Sequence, residues 1–204
     1  MDKKTQIIEV ALSRFSYYGF AKTTMNEIAE DVHISKANLY YYYSDKFSLI
    51  KDVFLFLRHE LEKQQKPIID AFEGGVLGTI NSLLELDAEF TRKYYMLYIN
   101  ENLEWVKGLD LEDLFEKSRV KEIKWVRTVL VKGVENKEIT ISEKDLNRVS
   151  GVILETINGL MLGRTIKDIV SGIPDKENVK EVERIQKEAV ELLIKGLGYS
   201  STIK

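Results

Sequence analysis

Apolar residues recur along most of the chain at the three- and four-residue spacing of amphipathic helices. The first stripe begins at Ile7 and predicts a helix over Lys3–Tyr18 that ends at Gly19. Stripes of the same period return after residue 44 and continue almost to the end of the chain. The pattern therefore predicts a largely helical protein.

Two shorter helices are predicted between these stripes. Thr24 and Glu27 have the spacing of a capping box, which predicts a helix over Met25–Val32. Ser35 is a good N-cap for a third helix over Lys36–Tyr42. Two short helices joined by a tight turn have the geometry that places the second helix in the major groove of DNA.

The rest of the chain is predicted to form long helices. One follows the capping pair Ser44-Asp45 and is expected to end at Pro67. The last is predicted over about Lys176–Leu197. The other breaks are expected at Gly74-Gly75, near Gly108, around Asn136–Thr140 before a cap at Ser142, and at Ser171–Pro174.

Composition supports an all-α fold, because the 204 residues include two prolines and 31% charged residues. The net charge of −3 gives no global attraction to nucleic acid, so DNA binding would need a local arrangement of positive and polar groups. The N-terminal residues are too polar for a signal peptide, and no stretch approaches the roughly 18 apolar residues of a membrane span. We expect a cytoplasmic protein with no membrane partner.

The residue inventory makes catalysis and metal binding weak hypotheses. The chain has no cysteine, so disulfides, thiolate nucleophiles and cysteine-based metal sites are excluded. His33 and His59 do not form a metal-binding pair, and the glycines from Gly74 to Gly78 lack the lysine of a phosphate-binding loop. We expect no enzymatic activity, no metal ion and no cofactor.

The third helix carries side chains that suit contact with DNA. Lys36 can donate to phosphates, Asn38 can hydrogen-bond to base edges, and Tyr41 can lie against thymine methyl groups. The alternative is that the run of tyrosines is an aromatic core stripe. Helical spacing limits that stripe to an inner face of Leu39, Tyr40 and Tyr43.

Four short motifs before residue 50 occur in a familiar order and spacing. They are Phe15-x-x-x-Gly19, Thr23-Thr24, Ile28-Ala29 and Leu39-Tyr40-x-Tyr42-aromatic-x-x-Lys46. Over about Lys3–Leu61 the chain resembles the N-terminal domain of the TetR family of bacterial transcriptional regulators. The resemblance implies a three-helix helix-turn-helix DNA-binding domain over residues 1–62. A long helix would join it to a helical ligand-binding and dimerisation domain over residues 63–204.

The resemblance also implies which residues contact DNA. Thr24 and Ser35, at the starts of the second and third helices, would donate to phosphates. Bases or the adjacent backbone would be contacted by Lys36, Ala37, Asn38 and Tyr41, and phosphates by Tyr40, Tyr42 and Lys46.

The turn departs from the family's usual sequence, because His33 stands where the family usually has glycine. Such a turn tends to need a positive φ, and histidine is among the residues enriched there. We therefore expect a left-handed conformation at His33.

Helix-turn-helix proteins commonly bind two half-sites as symmetric dimers, so a self-complementary surface is expected. Gly159 and Gly163 lie one helical turn apart and would allow close backbone approach, within the chain or between two chains. The resemblance favours a homodimer formed by the last two long helices. The candidate interface residues are Gly151, Ile153, Gly159, Gly163, Ile185, Ala189 and Leu192.

A ligand site in such a protein is expected between the C-terminal helices. Asn158 is the most informative candidate, because an amide in an apolar stripe needs a partner if it is buried. Most of the other candidates are alternatively plain core residues. The candidate lining is Phe90, Tyr94, Tyr95, Tyr98, Trp105, Phe115, Trp125, Asn158 and Met161.

These inferences predict a ligand-responsive transcriptional regulator. The simplest form is a repressor that binds a palindromic double-stranded operator as a homodimer and is released by a small apolar or aromatic effector. The competing hypothesis is a helical adaptor that binds a protein partner. A DNA-binding protein loses affinity steeply with salt, which separates the two.

Overall fold

The computed structural model describes residues 2–97, 112–171, 175 and 177–198, and these residues form helices and no strands. The prediction of an all-α fold is confirmed. Gly108 and residues 172–174 lie outside the described residues. The helices are α1 (Lys3–Lys22), α2 (Met25–Asp31), α3 (Lys36–Tyr42), α4 (Lys46–Ala71), α5 (Gly75–Lys93), α6 (Glu112–Glu135), α7 (Glu143–Ser171) and α8 (Glu177–Lys195), with a 3-10 turn at Tyr95–Leu97.

Two positive-φ residues shape the first three helices. Gly19 has φ 79° and ψ 170°, so it interrupts α1 at the predicted position even though helical residues continue to Lys22. His33, in the turn between α2 and α3, has φ 56°, which confirms the predicted left-handed conformation. Gly19 lies in a region of backbone space that is nearly closed to other residues, whereas His33 lies in the ordinary left-handed region.

The predicted end of α4 at Pro67 is wrong, because the helix continues to Ala71. Ile69, in the added turn, is buried in a core cluster together with Val76 and Leu130. The Lys132 ammonium donates hydrogen bonds to the carbonyl oxygens of Ile69 at 2.7 Å and Asp70 at 3.0 Å. Burial and an added donor thus offset the backbone hydrogen bond that proline cannot make.

The predicted break at Gly74-Gly75 is present, and a residue that follows the end of α6 stabilises it. The buried Glu138 carboxylate accepts a hydrogen bond of 2.9 Å from the backbone N–H of Val76 in the first turn of α5. A Cβ atom at Gly75 would lie 2.2 Å from a Glu138 carboxylate oxygen, and Gly75 has φ 68°. Glycine is therefore required there both for space and for backbone conformation.

The chain divides into two compact units. One comprises Met1–Glu62 and Lys93–Leu111, and the other comprises Lys63–Arg92 and Glu112–Lys204. In the first unit, the 3-10 turn at Tyr95–Leu97 packs against α1. In the second unit, α7 packs against both α6 and α8. None of the helices within the described residues is long and apolar enough to span a membrane.

Opposite substitutions at the two positive-φ positions are expected to have opposite effects. Gly19→Ala should lower the free energy of unfolding by about 1–3 kcal/mol, because alanine is strained at this φ and ψ. His33→Gly should be neutral or stabilising, because glycine relieves the left-handed strain at this position. The greater conformational entropy that glycine gives the unfolded chain offsets part of this gain. Urea denaturation of both variants measures the difference. A clear loss of stability in His33→Gly would mean that the His33 side chain makes a stabilising contact.

Candidate nucleic-acid interface

The start of α2 is fixed by the predicted capping box. The Thr24 side-chain oxygen accepts a hydrogen bond of 3.3 Å from the Glu27 N–H, and a Glu27 carboxylate oxygen accepts one of 2.7 Å from the Thr24 N–H. The Thr24 hydroxyl also donates to that carboxylate at 2.8 Å. These bonds, led by the one from the Thr24 backbone, lower the pKa of Glu27. The exposed Thr24 hydroxyl therefore lies beside an ionised carboxylate.

Arg14 ties α1 to both ends of α2. Its guanidinium donates two hydrogen bonds to the Asp31 carboxylate, at 2.6 and 3.0 Å, and lies 3.3 Å from Glu27. A bidentate arginine–carboxylate pair fixes direction as well as distance. The hydrogen bond from Arg14 also lowers the pKa of Asp31. This pair holds α2 in a defined orientation on α1.

Fewer residues of α3 face the protein interior than helical spacing allows. Leu39 is fully buried, and Tyr43, the residue that ends the helix, is buried as well. Tyr40, which helical spacing allows on the same inner face, is 42% exposed, so the alternative of an aromatic core stripe does not hold for it. A seven-residue helix packed through one central leucine leaves the side chains on both flanks in solvent.

The outer side of α3 is polar and aromatic. Its first four residues after the Ser35 cap include no acidic side chain, and Lys36, Ala37 and Asn38 are all exposed. Tyr41 is 84% exposed and Tyr42 is 36% exposed, with their rings edge to face and their centroids 5.6 Å apart. The predicted DNA-contacting residues of α3 are thus all accessible on its surface.

Tyr43 anchors the end of α3 to its neighbours. Its hydroxyl donates a 3.0 Å hydrogen bond to the Asp52 carboxylate of α4. The same carboxylate pairs with the Lys4 ammonium of α1 at 2.8 Å, and that ammonium lies 5.6 Å from the centre of the Tyr43 ring. Burial, and then the Asp52 charge, raise the pKa of Tyr43, so its hydroxyl remains a donor at ordinary pH.

Lys46 begins α4 next to the capped start of α2. Burial lowers the pKa of Lys46, and the nearby charge of Glu27 partly opposes that shift. The exposed Thr24 hydroxyl, the Glu27 carboxylate and the Lys46 ammonium therefore belong to one surface. Because the ammonium is partly desolvated, an anion placed beside it would favour the charged form.

Two side-chain pairs that hold this surface in place could not be predicted from the sequence. Arg14 and Asp31 are 17 positions apart, and Tyr43 and Asp52 are nine apart on different helices. No local motif joins such pairs. The one sequence signal for Arg14 is its position beside the apolar stripe of α1, where a long side chain can reach a neighbouring helix.

The residues predicted to line an effector site do not share one unit. Tyr94 and Tyr95 belong to the first unit, whereas Phe90, Trp125 and Met161 belong to the second. Trp125 is partly buried against the core cluster of the second unit. Tyr98, Trp105 and the side chain of Phe115 lie outside the described residues.

Asn158 is exposed on α7, so the expectation that its amide lies in an enclosed site is wrong. The buried side of α7 includes Ile157, which packs against the core, whereas Asn158 faces solvent. Its side chain therefore needs no buried partner.

The predicted dimer residues divide into buried and accessible ones. Ile153 is 1% exposed in the core of its own chain, so its assignment to an interface is wrong. A Cβ atom added at Gly151, Gly159 or Gly163 would meet no atom of the described residues within 4 Å. Close packing against this part of the chain therefore does not explain these glycines. Leu192 is 72% exposed, and Ile185 and Ala189 are half-buried on α8.

Among the described residues, no three histidine, aspartate or glutamate side chains are grouped as a metal site. The exposed side chains of α3 offer tyrosine hydroxyls, one amide, aromatic rings and one ammonium group. Such groups bind phosphates and base edges.

Residues 7–53 match the model of the TetR family of bacterial regulatory proteins. The chain is 22% identical over 152 residues to the HTH-type transcriptional regulator YhgD of Bacillus subtilis, which covers 72% of this chain and 76% of that protein. It is 28% identical over 98 residues to IcaR, the HTH-type negative transcriptional regulator of the biofilm operon icaADBC in Staphylococcus aureus, covering 46% and 53%.

The fold is shared over nearly the whole chain. A crystal structure of a transcriptional regulator from Cytophaga hutchinsonii has a TM-score of 0.81 at 22% identity, covering 96% of this chain and 99% of that one. A TetR transcription regulator from Haloarcula marismortui has a TM-score of 0.73 at 15% identity, covering 96% and 98%.

The anchor at Tyr43 can be tested without DNA. Tyr43→Phe should lower the free energy of unfolding by about 0.5–1.5 kcal/mol, because a partly buried hydrogen bond to Asp52 is lost. Tyr41→Phe, which changes an exposed ring in the same helix, is the matched control and should have no effect. Urea denaturation at neutral pH measures both.

The pH dependence gives a second readout. The pKa of Tyr43 is raised in the folded chain, so its contribution is present below the ordinary pKa of 10.0 and is lost as the pH rises above it. The wild type should therefore lose more stability above about pH 10 than Tyr43→Phe does. Equal losses in the two proteins would contradict the buried hydrogen bond.

Proposed function

Since the chain belongs to the TetR family of bacterial regulatory proteins, we propose that it is a repressor that binds a palindromic operator as a homodimer and is released by a small effector. Members of this family are transcriptional regulators, and this chain is a regulator and not an enzyme. The observation that carries the proposal is the exposed, acid-free outer side of α3, in the same unit as Thr24 and Lys46. The protein would act in the cytoplasm, where bacterial DNA lies.

The phosphate contacts would come from groups that flank α3. Lys46 supplies a partly desolvated ammonium, which a phosphate stabilises in its charged form. The Thr24 hydroxyl can turn from Glu27 toward a phosphate, because Arg14 continues to neutralise that carboxylate. Ser35, Tyr40 and Tyr42 offer further hydroxyls, and these contacts would fix the register of the protein on the duplex.

The outer side of α3 would then enter the major groove. Lys36, Ala37, Asn38 and Tyr41 are all exposed there and face bases or the adjacent backbone in this arrangement. The fixed position of α3 on the first unit supports this role, because Leu39 and Tyr43 hold the helix from within. We assign residues 1–62 to DNA binding and residues 63–204 to effector binding and dimerisation.

The dimer would form through α7 and α8. Val152, Gly159, Gly163 and Ile166 recur at helical spacing on one exposed side of α7. None of the described residues approaches the open sides of these glycines, which leaves room for a helix of a second copy. Leu192, which is 72% exposed, offers an accessible apolar side chain on α8.

The effector would be small and apolar or aromatic, and it would bind in the second unit. Phe90, Trp125 and Met161 are the described aromatic and apolar candidates in that unit. α4 is one continuous helix whose first turn carries Lys46 and whose last turn is held by Lys132. An effector that prefers one position of α4 would change the spacing of two DNA-binding units and so release the operator.

Selection from a random duplex library at physiological salt should enrich a palindrome. Its half-sites should be centred about one helical turn or somewhat more apart. Tyr42→Ala and Lys46→Ala should both weaken binding to the enriched duplex. Lys51→Ala, an exposed lysine further along α4, is the matched control and should bind as the wild type does.

Salt titration sharpens this test. If Lys36 and Lys46 of both protomers neutralise phosphates, affinity should fall roughly a hundredfold between 50 and 200 mM salt. Lys46→Ala should reduce the slope by about two ions, one for each protomer. A protein that enriches no sequence, after denaturation shows that it carries no bound effector, would be a helical adaptor and not an operator-binding regulator.

Dimerisation can be tested by introducing one charged side chain at Leu192, on the exposed surface of α8. Leu192→Glu should raise the dimer dissociation constant at least about tenfold, because a two-fold axis places the charge in the interface twice. Val120→Glu, at a half-exposed apolar residue of α6, is the control. Sedimentation equilibrium measures the constant. If Leu192→Glu dimerises as the wild type does, the interface lies elsewhere.

A further inference from the structure

The outer side of α3 holds a continuous patch of three exposed side chains. Ala37 and Tyr41 are one turn apart and share a stripe, and Asn38 lies directly beside them. The patch therefore offers a methyl group, an aromatic ring and a carboxamide. The whole helix contains no arginine, glutamine, aspartate or glutamate.

These three side chains are available to a partner. Tyr41 is the most exposed tyrosine of α3, and its ring contacts the Tyr42 ring edge to face. The backbone N–H of Asn38 is bonded to the Ser35 hydroxyl, while its carboxamide makes no hydrogen bond to the described part of the chain. The Ser35 bond thus orients the residue and leaves its amide free to bind.

Lys36 belongs to a different stripe of the helix. Its ammonium lies 6.0 Å from the centre of the Tyr40 ring, one turn along, which is the geometry of a weak cation–π contact. This contact draws the one cation of α3 toward the flank and away from Asn38 and Tyr41. The central patch is therefore uncharged.

Each base pair presents its own pattern in the major groove. Guanine is recognised by arginine or lysine, and cytosine by aspartate or glutamate. Adenine is recognised by the paired donor and acceptor of asparagine or glutamine, and thymine by apolar contact with its 5-methyl group. The central patch of α3 has the groups for adenine and thymine, and it lacks those for guanine and cytosine.

We infer that α3 reads A·T base pairs at the centre of each half-site. The Asn38 carboxamide would accept from N6 and donate to N7 of an adenine, and Ala37 with the Tyr41 ring would pack against thymine methyl groups. The inference rests on the proposed function, since it names the bases read by the same helix. Any guanine in the half-site would lie toward Lys36, at the start of the helix.

Base analogues test this inference atom by atom on the operator enriched from the library. Uracil in place of one thymine removes the 5-methyl group and keeps the base pair, and 7-deazaadenine removes the N7 acceptor alone. At least one uracil substitution in a half-site should weaken wild-type binding about fourfold. At least one 7-deazaadenine substitution should weaken it roughly fivefold or more.

Variants connect each analogue effect to a side chain. Tyr41→Ala should abolish the effect of uracil at its position, and Asn38→Ala should abolish the effect of 7-deazaadenine. Lys36→Ala should lower overall affinity and keep both analogue effects. Tyr17→Ala, an exposed aromatic residue on α1, should leave affinity and both analogue effects unchanged.

The outcomes separate the two proposals. An enriched palindrome with G·C pairs at its centre, or one that tolerates every analogue, would overturn the reading by α3 and leave the operator-binding function in place. Analogue effects that persist in Tyr41→Ala and Asn38→Ala would also overturn it. If no sequence is enriched by effector-free protein, both the function and the inference fail.

Discussion

A seven-residue helix cannot stabilise itself in water, and this constraint governs the candidate DNA-binding surface. α3 exists because Leu39 is fully buried beneath it, Ser35 caps its start, and the Tyr43 hydroxyl is bonded to Asp52 at its end. One buried side chain is enough to dock so short a helix. Because the anchoring uses so few residues, the remaining side chains of α3 are left for a partner.

Electrostatics make the same surface suitable for a polyanion despite a net negative chain. Glu27 would repel a phosphate, yet its charge is offset by the Thr24 N–H, by Arg14 and by the nearby Lys46. The carboxylate therefore serves to hold α2 in place. Because the Lys46 ammonium is partly desolvated, an approaching anion stabilises its charged form. The partial burial of Lys46 in the first unit thus favours the proposed phosphate contact.

The second unit uses charged side chains in another way, since it places them at helix ends. Lys132 bonds to the last carbonyl groups of α4, and Glu138 bonds to the first turn of α5. These bonds hold the turn between the two helices on the core that contains Ile69 and Val76. The end of α4 is thus fixed by contacts with residues that are distant in the sequence.

Local chemistry along the sequence determined the caps of α2 and α3, the break at Gly19 and the left-handed turn at His33, since each depends on hydrogen bonds or backbone angles within a few residues. The types of side chain on α3 were likewise readable, and so was the resemblance of the N-terminal region to the TetR family. Tertiary structure alone decided which side chains are buried. Three sequence predictions failed for this reason, because burial depends on contacts between residues far apart in the chain: the end of α4 at Pro67, the interface role of Ile153 and the enclosed position of Asn158.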